Sequence, residues 1–576
     1  MYILGINAYH ADSSAAIFKD GKMIAATEEE RFRRLKHWAG FPSMAVEFCL
    51  REAGISLSQL DHIAIGRDPY AKLGKKLLFL ARNPAGGWKA VTERLKNAKK
   101  VSSLEQEFGS LDKTADLQTL RKIIHQVEHH RSHLASAFFA SPFKEAALLS
   151  IDGSGDFTTT MIATGTGNKI NVLDSVDFPH SVGLFYTAFT QLLGFPHYGD
   201  EYKVMGLAPY GKPEYVERLR DVLIFREDGL FQLNPKYFRS AKSGIISYGE
   251  DHIPVVAPLF SSYMCEKFGA CRQKDEPLTT YHKDLAASVQ RITEELIFHI
   301  LGHLHKKTGL ENVCIAGGVA QNSVANGKLT RNTPFKNVYI PSAGHDAGIS
   351  MGAALYVHNQ VLDQPRAEPV WSACTGSRFT NEEIEAYLKT RNIAYQRYPD
   401  QELFEKVADR LVDAGVVGWF NGRAEFGPRA LGARSILADP RRQDAKDLLN
   451  SKIKRRESFR PFAPSILKEY VSEYFEVTDI VPFMEKVFPI RQEKRPLIPA
   501  VTHADGTGRL QTVDREVSPR YYGLIEAFRK KTGVPILLNT SFNENEPIVN
   551  SPEQALECFL RTSMDMLVLE NCVITR

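Results

Sequence analysis

From Val127 to Asp156 the chain reads VEHHRSHLASAFFASPFKEAALLSIDGSGD. The stretch opens on His129, His130 and His133 and closes on Asp152-Gly153-Ser154-Gly155. His129 and His133 are four residues apart, which on a helix puts both imidazoles on one face, a turn apart. The run Leu134 to Phe139 continues such a helix. Ala147 to Ile151 predicts a short buried strand ending in Asp152, and the glycines that follow leave that carboxylate over open backbone. Two imidazoles and a carboxylate are ligand types that a divalent transition metal accepts. A bare His pair of this spacing also suits core packing or a solvated face. It lacks the glutamate of the HExxH protease motif.

Working outward, the pattern at Ala147 has a counterpart at the start of the chain. Tyr2 to Ile6 predicts a strand, Asn7 to Ser14 (NAYHADSS) a small polar turn, and Ala15 to Phe18 and Lys22 to Thr27 a hairpin about Asp20-Gly21. The charged run Glu28 to Lys36 follows. After Ala147 come the turn Asp152 to Asp156, strand Thr158 to Ala163, a glycine turn, and strand Ile170 to Val176. A strand, a small-residue turn and a hairpin, occurring twice, predict an α/β chain with a duplicated actin-like nucleotide-binding fold. In that fold two turns face each other across a cleft and hold phosphate through backbone N–H groups.

Further along, Arg67 to Leu120 is rich in lysine (Lys72, Lys75, Lys76, Lys89, Lys96, Lys99, Lys100) and suits a solvated helical insertion or a lid over an acceptor. Leu184 to Gly211 predicts an amphipathic helix and a glycine-rich loop bearing Asp200, Glu201 and Lys203. Lys283 to Lys306 predicts a long helix. Val313 to Gly327 (VCIAGGVAQNSVANG) predicts a buried strand, a Gly-Gly turn and a helix start, whose N–H groups can approach phosphate or adenine. Asp346 falls at a helix start, where it can be an N-cap or a further metal ligand. Gln360 to Thr375 is polar, contains Pro365 and Pro369, and predicts a linker between residues 1–358 and 375–576.

The second part concentrates arginine beside glycine and proline: NGRAEFGPRALGARSILADPR from Asn421, then KIKRRESFRPFAP from Lys452, then Arg509. Guanidinium forks in loops at strand ends suit phosphate and carboxylate oxygens. Interleaved stacking aromatics are scarce, which favours a small anion over a nucleic acid.

Composition excludes little and points to an ordinary globular protein. Of 576 residues, 43% are hydrophobic and 24% charged, and 72 basic against 68 acidic residues leave a net charge of +4. That charge is too mild to argue nucleic-acid binding. Seven cysteines, scattered and with no CxxC, suggest reduced thiols and a cytoplasmic protein. MYILGINAYH lacks a basic segment before its apolar run, so no signal peptide is expected. No apolar run approaches membrane-spanning length, and no membrane partner is expected.

NAYHADSSAA, EEERFRRLKH, HHRSHLASAF, SIDGSGD, KVMGLAPYG, AGGVAQN, GHDAGISMGAAL, GRAEFGPRALGARSIL, ESFRPFAPS and LNTSFNENEPIV, in that order, resemble the O-carbamoyltransferases of the nodulation-protein-U and cephalosporin-carbamoyltransferase family. The resemblance covers essentially the whole chain. It implies a first domain similar to threonylcarbamoyl-tRNA transferase, and a second, α/β domain similar to YrdC. The second would convert carbamoyl phosphate and ATP, with Mg²⁺, to carbamoyl-adenylate. The first would pass the carbamoyl group to the hydroxyl of a sugar or natural product.

By motif position the resemblance makes His129, His133, Asp152 and Asp346 metal ligands, with Fe²⁺ the expected ion, and His10 the base. Lys36 and the turn Gly317, Gly318, Val319, Ala320, Gln321 match nucleotide contacts of the first domain. Arg429 and Arg460 match carbamoyl phosphate contacts. Lys454, Arg509, Asn539, Ser541 and Asn543 line the same pocket, with Arg509 and Asn539 on the nucleotide side. The resemblance also favours a homodimer. Two other classes are compatible with parts of this pattern: a tRNA threonylcarbamoyladenosine enzyme, against which the modest charge counts, and a non-catalytic actin-like ATP switch, against which the arginine-rich second part counts.

Overall fold

The first strand, β1 (Tyr2–Asn7), is buried along nearly its whole length, as an apolar strand covered on both faces must be. A computed structural model describes residues 1–82, 103–239, 246–249, 251–454 and 456–576. Lys89, Lys96, Lys99, Lys100 and Arg455 lie outside them. The chain divides into two compact units, residues 1–325 with 329–370, and residues 326–328 with 371–576.

In the first unit β1 pairs antiparallel with β2 (Ser14–Lys19), and β2 with β3 (Lys22–Glu28). On its other side β1 runs parallel to β4 (His62–Ile65), and β4 to β5 (Ile124–Gln126), giving the order β3-β2-β1-β4-β5. The second sheet repeats this. β6 (Glu145–Gly155) pairs antiparallel with β7 (Thr158–Thr166), and β7 with β8 (Lys169–Asp177). Two small hairpins intervene: β9 (Leu223–Phe225) with β10 (Phe231–Leu233), and β11 (Ile246–Tyr248) with β12 (Pro254–Val256). Then β13 (Asn312–Ala316) lies parallel to β6, and β14 (Asn337–Tyr339) parallel to β13. The order β8-β7-β6-β13-β14 is that of the first sheet, strand for strand.

Two small-residue helices, His129–Phe138 and Ile349–Leu355, pack against each other. A Cβ on Gly352 would stand 1.8 Å from the Ser132 carbonyl oxygen, so this approach requires glycine.

Three expectations change on contact with the structure. β6 does not end at Asp152. A register irregularity between Ile151 and Gly155 keeps the chain extended past it, so Asp152 sits inside the strand. Asp200, Glu201 and Lys203 belong to a helix start rather than a loop: the helix spans Glu201–Leu207, Lys203 Nζ pairs with Asp200 Oδ1 at 2.9 Å, and Thr187 donates to Glu201. The segment from Gln360 is tied to the first unit as far as Val370. Arg366 donates to the carbonyls of Phe138 and Ser141, and Val370 N–H to that of Ala140.

The second unit is built on one nine-stranded sheet. Its strands are β15 (Gln396–Arg397), β16 (Val417–Phe420), β17 (Arg434–Ala438), β18 (Ala463–Leu467), β19 (Lys486–Pro489), β20 (Thr507–Val513), β21 (Ile536–Ser541), β22 (Met566–Leu569) and β23 (Cys572–Thr575). They lie in the order β15-β23-β22-β16-β17-β21-β18-β20-β19. Its core is Trp419, Ile436, Ile466 and Leu538 with helices Asp400–Val412 and Pro519–Thr532. All seven cysteines are free thiols. Among the described residues no helix is long and apolar enough to cross a membrane.

Candidate functional site

In the first unit, four elements deliver side chains to one point. The helix His129–Phe138 supplies both imidazoles. Its N-terminus is held by the Glu128 side chain, which accepts from Arg131 N–H at 2.8 Å, and by Asp156, which accepts from His129 N–H at 3.0 Å and Asp68 N–H at 2.7 Å. β6 supplies Asp152. The short turn before helix Ile349–Leu355 supplies Asp346. The turn after β1 supplies His10. That turn is held by Asn7 Nδ2 donating to Ala11 and Asp12 carbonyls, and by Ser14 Oγ donating to Ala347 O at 2.6 Å.

The distances are those of groups arranged around a shared centre. His129 Nε2 is 3.1 Å from Asp152 Oδ2 and 3.7 Å from Asp346 Oδ1. His133 Nε2 is 3.4 Å from Asp346 Oδ1 and 3.6 Å from Asp152 Oδ2, too long for a tight hydrogen bond with either. One ligand atom from each of the four lies within 4.8 Å of every other, and all four residues are buried. Asp346 Oδ1 is buried without a hydrogen-bond partner. Two imidazoles and two carboxylates aimed at one point fit a divalent cation. Asp346 Oδ2 turns the other way, 2.7 Å from His10 Nδ1, and so sets the orientation of the His10 ring.

The two carboxylates concentrate negative charge at this point. Burial pushes the Asp346 carboxyl up, but His10 and His133 together hold it well below the usual carboxylate range. Burial also works against His133, yet Asp152 and Asp346 outweigh it and raise the imidazole to about 9.

The Gly317 to Gln321 turn serves Asp152. Gly318 N–H donates to Asp152 Oδ1 at 2.9 Å. Gly317 has φ +102°, and a Cβ there would stand 2.2 Å from the Ile151 carbonyl oxygen, so the position demands glycine. Gly317 N–H donates to Gly344 O, and Ala320 N–H to Gly317 O. The turn's N–H groups at these three positions are therefore used inside the protein. Val319 and Gln321 complete the turn, and Lys36 is exposed after the short helix Glu30–Arg33. A neighbouring pair had no signal in the sequence. His37 Nδ1 is 2.7 Å from Asp12 Oδ1, with Tyr198 edge-on to the imidazole at 5.0 Å.

In the second unit the arginines divide into two groups. Arg434 is fully buried, stacks on Phe420 at 3.6 Å and donates to the carbonyls of Asn421, Gly422 and Ser377. Arg441 pairs with Asp439 at 2.7 Å, and Arg442 pairs with Asp444. These are structural, not anion clamps.

Arg509 differs. Burial, and then the charges of Arg429, Arg456 and Arg460, push its guanidinium well below its ordinary value. A guanidinium stays charged in proteins, so the four arginines concentrate positive charge at this point. Glu457 stands 3.6 Å from Arg460.

The loop bearing Arg429 is fixed from three sides. Glu425 Oε1 accepts from the N–H groups of Leu431, Ala433 and Arg434 at 2.7, 2.8 and 3.2 Å. Asn539 Nδ2 donates to Ala430 O at 3.2 Å, and Gln511 Nε2 to Leu431 O at 2.8 Å. Lys454 Nζ donates to Ser541 O, Asn543 O and Asn543 Oδ1, each at 2.7 Å, and Ser541 Oγ also donates to Asn543 Oδ1 at 2.8 Å. Lys454 thus clamps the turn after β21. The part of Glu425 in this loop was not read from the sequence, although it lies in GRAEFGPRALGARSIL.

The first unit thus carries four residues that could hold a metal ion, and the second a cluster of arginines. The family model Carbamoyltransferase N-terminus matches residues 2–355, and Carbamoyltransferase C-terminus matches residues 408–576. The chain belongs to the carbamoyltransferase family and is a carbamoyltransferase enzyme. It is 45% identical to an uncharacterized protein of Synechocystis sp. over 100% of this chain and 97% of that one. It is 39% identical to the nodulation protein NolNO of Sinorhizobium fredii over 99% of this chain and 80% of that one. Among solved structures, the activator of 2-hydroxyisocaproyl-CoA dehydratase from Clostridium difficile covers 63% of this chain and 96% of its own at 14% identity, but a TM-score of 0.32 carries no argument.

Proposed function

We propose that this carbamoyltransferase is ATP-dependent and carries out two steps at the two sites. In the second unit, water releases carbamate and phosphate from carbamoyl phosphate. A carbamate oxygen then attacks the α-phosphorus of ATP and expels pyrophosphate, leaving carbamoyl-adenylate. The observation that carries this reading is the half-buried Arg509, set among the charges of Arg429, Arg456 and Arg460. Two anions react there only if cations cancel their repulsion and stabilise the charge that develops. Mg²⁺ accompanies ATP. Glu425, Asn539 and Lys454 hold the loops that carry these groups. The YrdC-like reading of this unit belongs to the same proposal.

In the first unit, whose twice-repeated sheet order supports an actin-like fold, His129, His133, Asp152 and Asp346 would hold a divalent ion, Fe²⁺ by the family resemblance. When bound, such an ion supplies Lewis-acid polarisation. His10, oriented through Nδ1 by Asp346, takes the proton from a small acceptor's hydroxyl as its oxygen attacks the carbamoyl carbon. AMP leaves and the carbamate ester remains. Gly318 and Asp156 position the ligands. The acceptor is a sugar or natural-product hydroxyl.

The test needs no acceptor: the protein is incubated with ATP, Mg²⁺ and carbamoyl phosphate. Pyrophosphate and a carbamoyl-AMP mass that depend on carbamoyl phosphate are the expected result. Pyrophosphate formed only with threonine and bicarbonate would replace this reading with the tRNA-modifying one.

A further inference from the structure

At the start of β20 the chain folds back on itself. His503 N–H donates to Thr507 O at 2.8 Å, and Gly506 N–H to His503 O at 2.9 Å. Within this turn the side chains form a relay. Thr507 Oγ1 is 2.7 Å from Asp505 Oδ1, and Thr507 N–H reaches the same oxygen at 3.1 Å. A carboxylate oxygen accepts, so the Thr507 hydroxyl donates its hydrogen bond to Asp505. His503 Nδ1 is 3.1 Å from Thr507 Oγ1. That oxygen has only lone pairs left to offer, so Nδ1 carries the ring proton. A neutral imidazole protonated at Nδ1 presents a bare lone pair at Nε2, and here Nε2 is buried without a hydrogen-bond partner. Burial, against the pull of Asp505 and aided by the charges of Arg509 and Lys446, pushes this imidazole down to about 4, so it is neutral near pH 7.

The location gives this lone pair a purpose. Thr507, Arg509 and Gln511 alternate onto one face of β20. On that face Gln511 reaches the Arg429 loop, and Arg509 meets the charges of Arg429, Arg456 and Arg460. The imidazole is anchored to the same face through Thr507. Guanidinium groups only donate. They match phosphate and carbonyl oxygens, and these oxygens are common to every acyl phosphate. What distinguishes a carbamoyl group from an acetyl group is its terminal –NH2, a donor, in place of a methyl.

We propose that His503 Nε2 accepts a hydrogen bond from the carbamoyl –NH2 and makes the arginine site selective for carbamoyl phosphate over acyl phosphates ending in methyl. The inference rests on the reading that the second unit binds carbamoyl phosphate. A buried acceptor left unpaired by an analogue lacking the donor discriminates against that analogue.

The experiment measures pyrophosphate release by the full-length protein with ATP and Mg²⁺ while carbamoyl phosphate is varied and acetyl phosphate competes. In His503→Phe the KM for carbamoyl phosphate rises about tenfold, the loss of one buried hydrogen bond, while the inhibition constant of acetyl phosphate stays within about threefold. Thr507→Val keeps the imidazole but releases its proton position. It shifts the same ratio in the same direction by a smaller factor, and it carries the test if the first variant does not fold. If KM and the inhibition constant rise together in these variants, or neither moves, His503 does not read the amide and the inference falls alone. If the unmodified protein releases no pyrophosphate with carbamoyl phosphate, the reading of the second unit falls and takes the inference with it.

Discussion

In the first unit two buried carboxylates, Asp152 and Asp346, face two imidazoles across gaps of 3.1 to 3.7 Å. In the second, the half-buried Arg509 meets the charges of three further arginines. Each gathers like charge, two carboxylates in the first unit and four guanidinium groups in the second, and withdrawing such charge from water is costly. They differ in how they are relieved. The first holds ligands that converge on a point and suits a compact cation. The second holds planar forks, one of them on a loop fixed by Glu425 and Asn539, and such forks match phosphate and carboxylate oxygens. The comparison teaches that the two units offer sites of opposite sign, which is what the proposed division into adenylation at the arginines and transfer at the carboxylates requires.

The sharpest way to break that separation is at His10. His10→Asn removes the proposed base and should lower carbamoyl transfer by about 10²–10⁴, while carbamoyl-phosphate-dependent pyrophosphate release stays at its original rate. Loss of both activities would merge the two sites. Arg460→Ala has the reverse effect: pyrophosphate release falls by about 10²–10³, the typical loss of one charge-stabilising donor. Metal content, read by elemental analysis, is unchanged.

A smaller effect is expected at the turn behind Asp152. Gly317→Ala places a side chain at φ +102° against the Ile151 carbonyl and destabilises the protein by about 2 kcal/mol or more. Thermal or denaturant unfolding reads this directly, and metal content falls with it as Asp152 shifts. A variant as stable as the original would show that the turn is not what holds that carboxylate.

The smallest effect contrasts two histidines by pH. Burial lowers His37, but Asp12 outweighs it and raises the imidazole from 6.5 to about 9. Its folded-state pKa lies above the unfolded one, so its stabilisation is full below pH 6.5 and is lost as pH rises through about 9. The difference between the original protein and His37→Gln therefore shrinks by about 1–2 kcal/mol across that window. His503, depressed to about 4, has the opposite sign. Its contribution is full above pH 6.5 and declines as pH falls toward 4. Unfolding curves of the single variants against pH that ran in the same direction would contradict the pairings.

What could be read without coordinates was local or periodic. The strand, turn and hairpin at Tyr2 and again at Ala147 depend on alternation and small residues, and the two sheets repeat one strand order. The spacing of His129 and His133 fixes their shared helix face. What could not be read depends on contacts distant in sequence. Nothing local marks Asp12 and His37 as partners 25 residues apart. Arginines of similar setting, Arg434 and Arg429, diverge because carbonyls of Asn421, Gly422 and Ser377 surround the former. Lys454, one cation among several in KIKRRESFRPFAP, becomes a clamp through a turn almost ninety residues later. The polar composition of the Gln360 segment hid Arg366, whose guanidinium ties it to carbonyls near Ser141.

The most direct test of the separation is Asp346→Asn, assayed for metal content, carbamoyl transfer and carbamoyl-phosphate-dependent pyrophosphate release in the same preparation. Asp346 faces both His133 and His10, so the variant loses bound metal and transfer together, while pyrophosphate release stays within about threefold of the original, less than half of the 1.4 kcal/mol that a tenfold change represents. Pyrophosphate release that disappears along with the metal would contradict the account, because adenylation would then depend on the cation site.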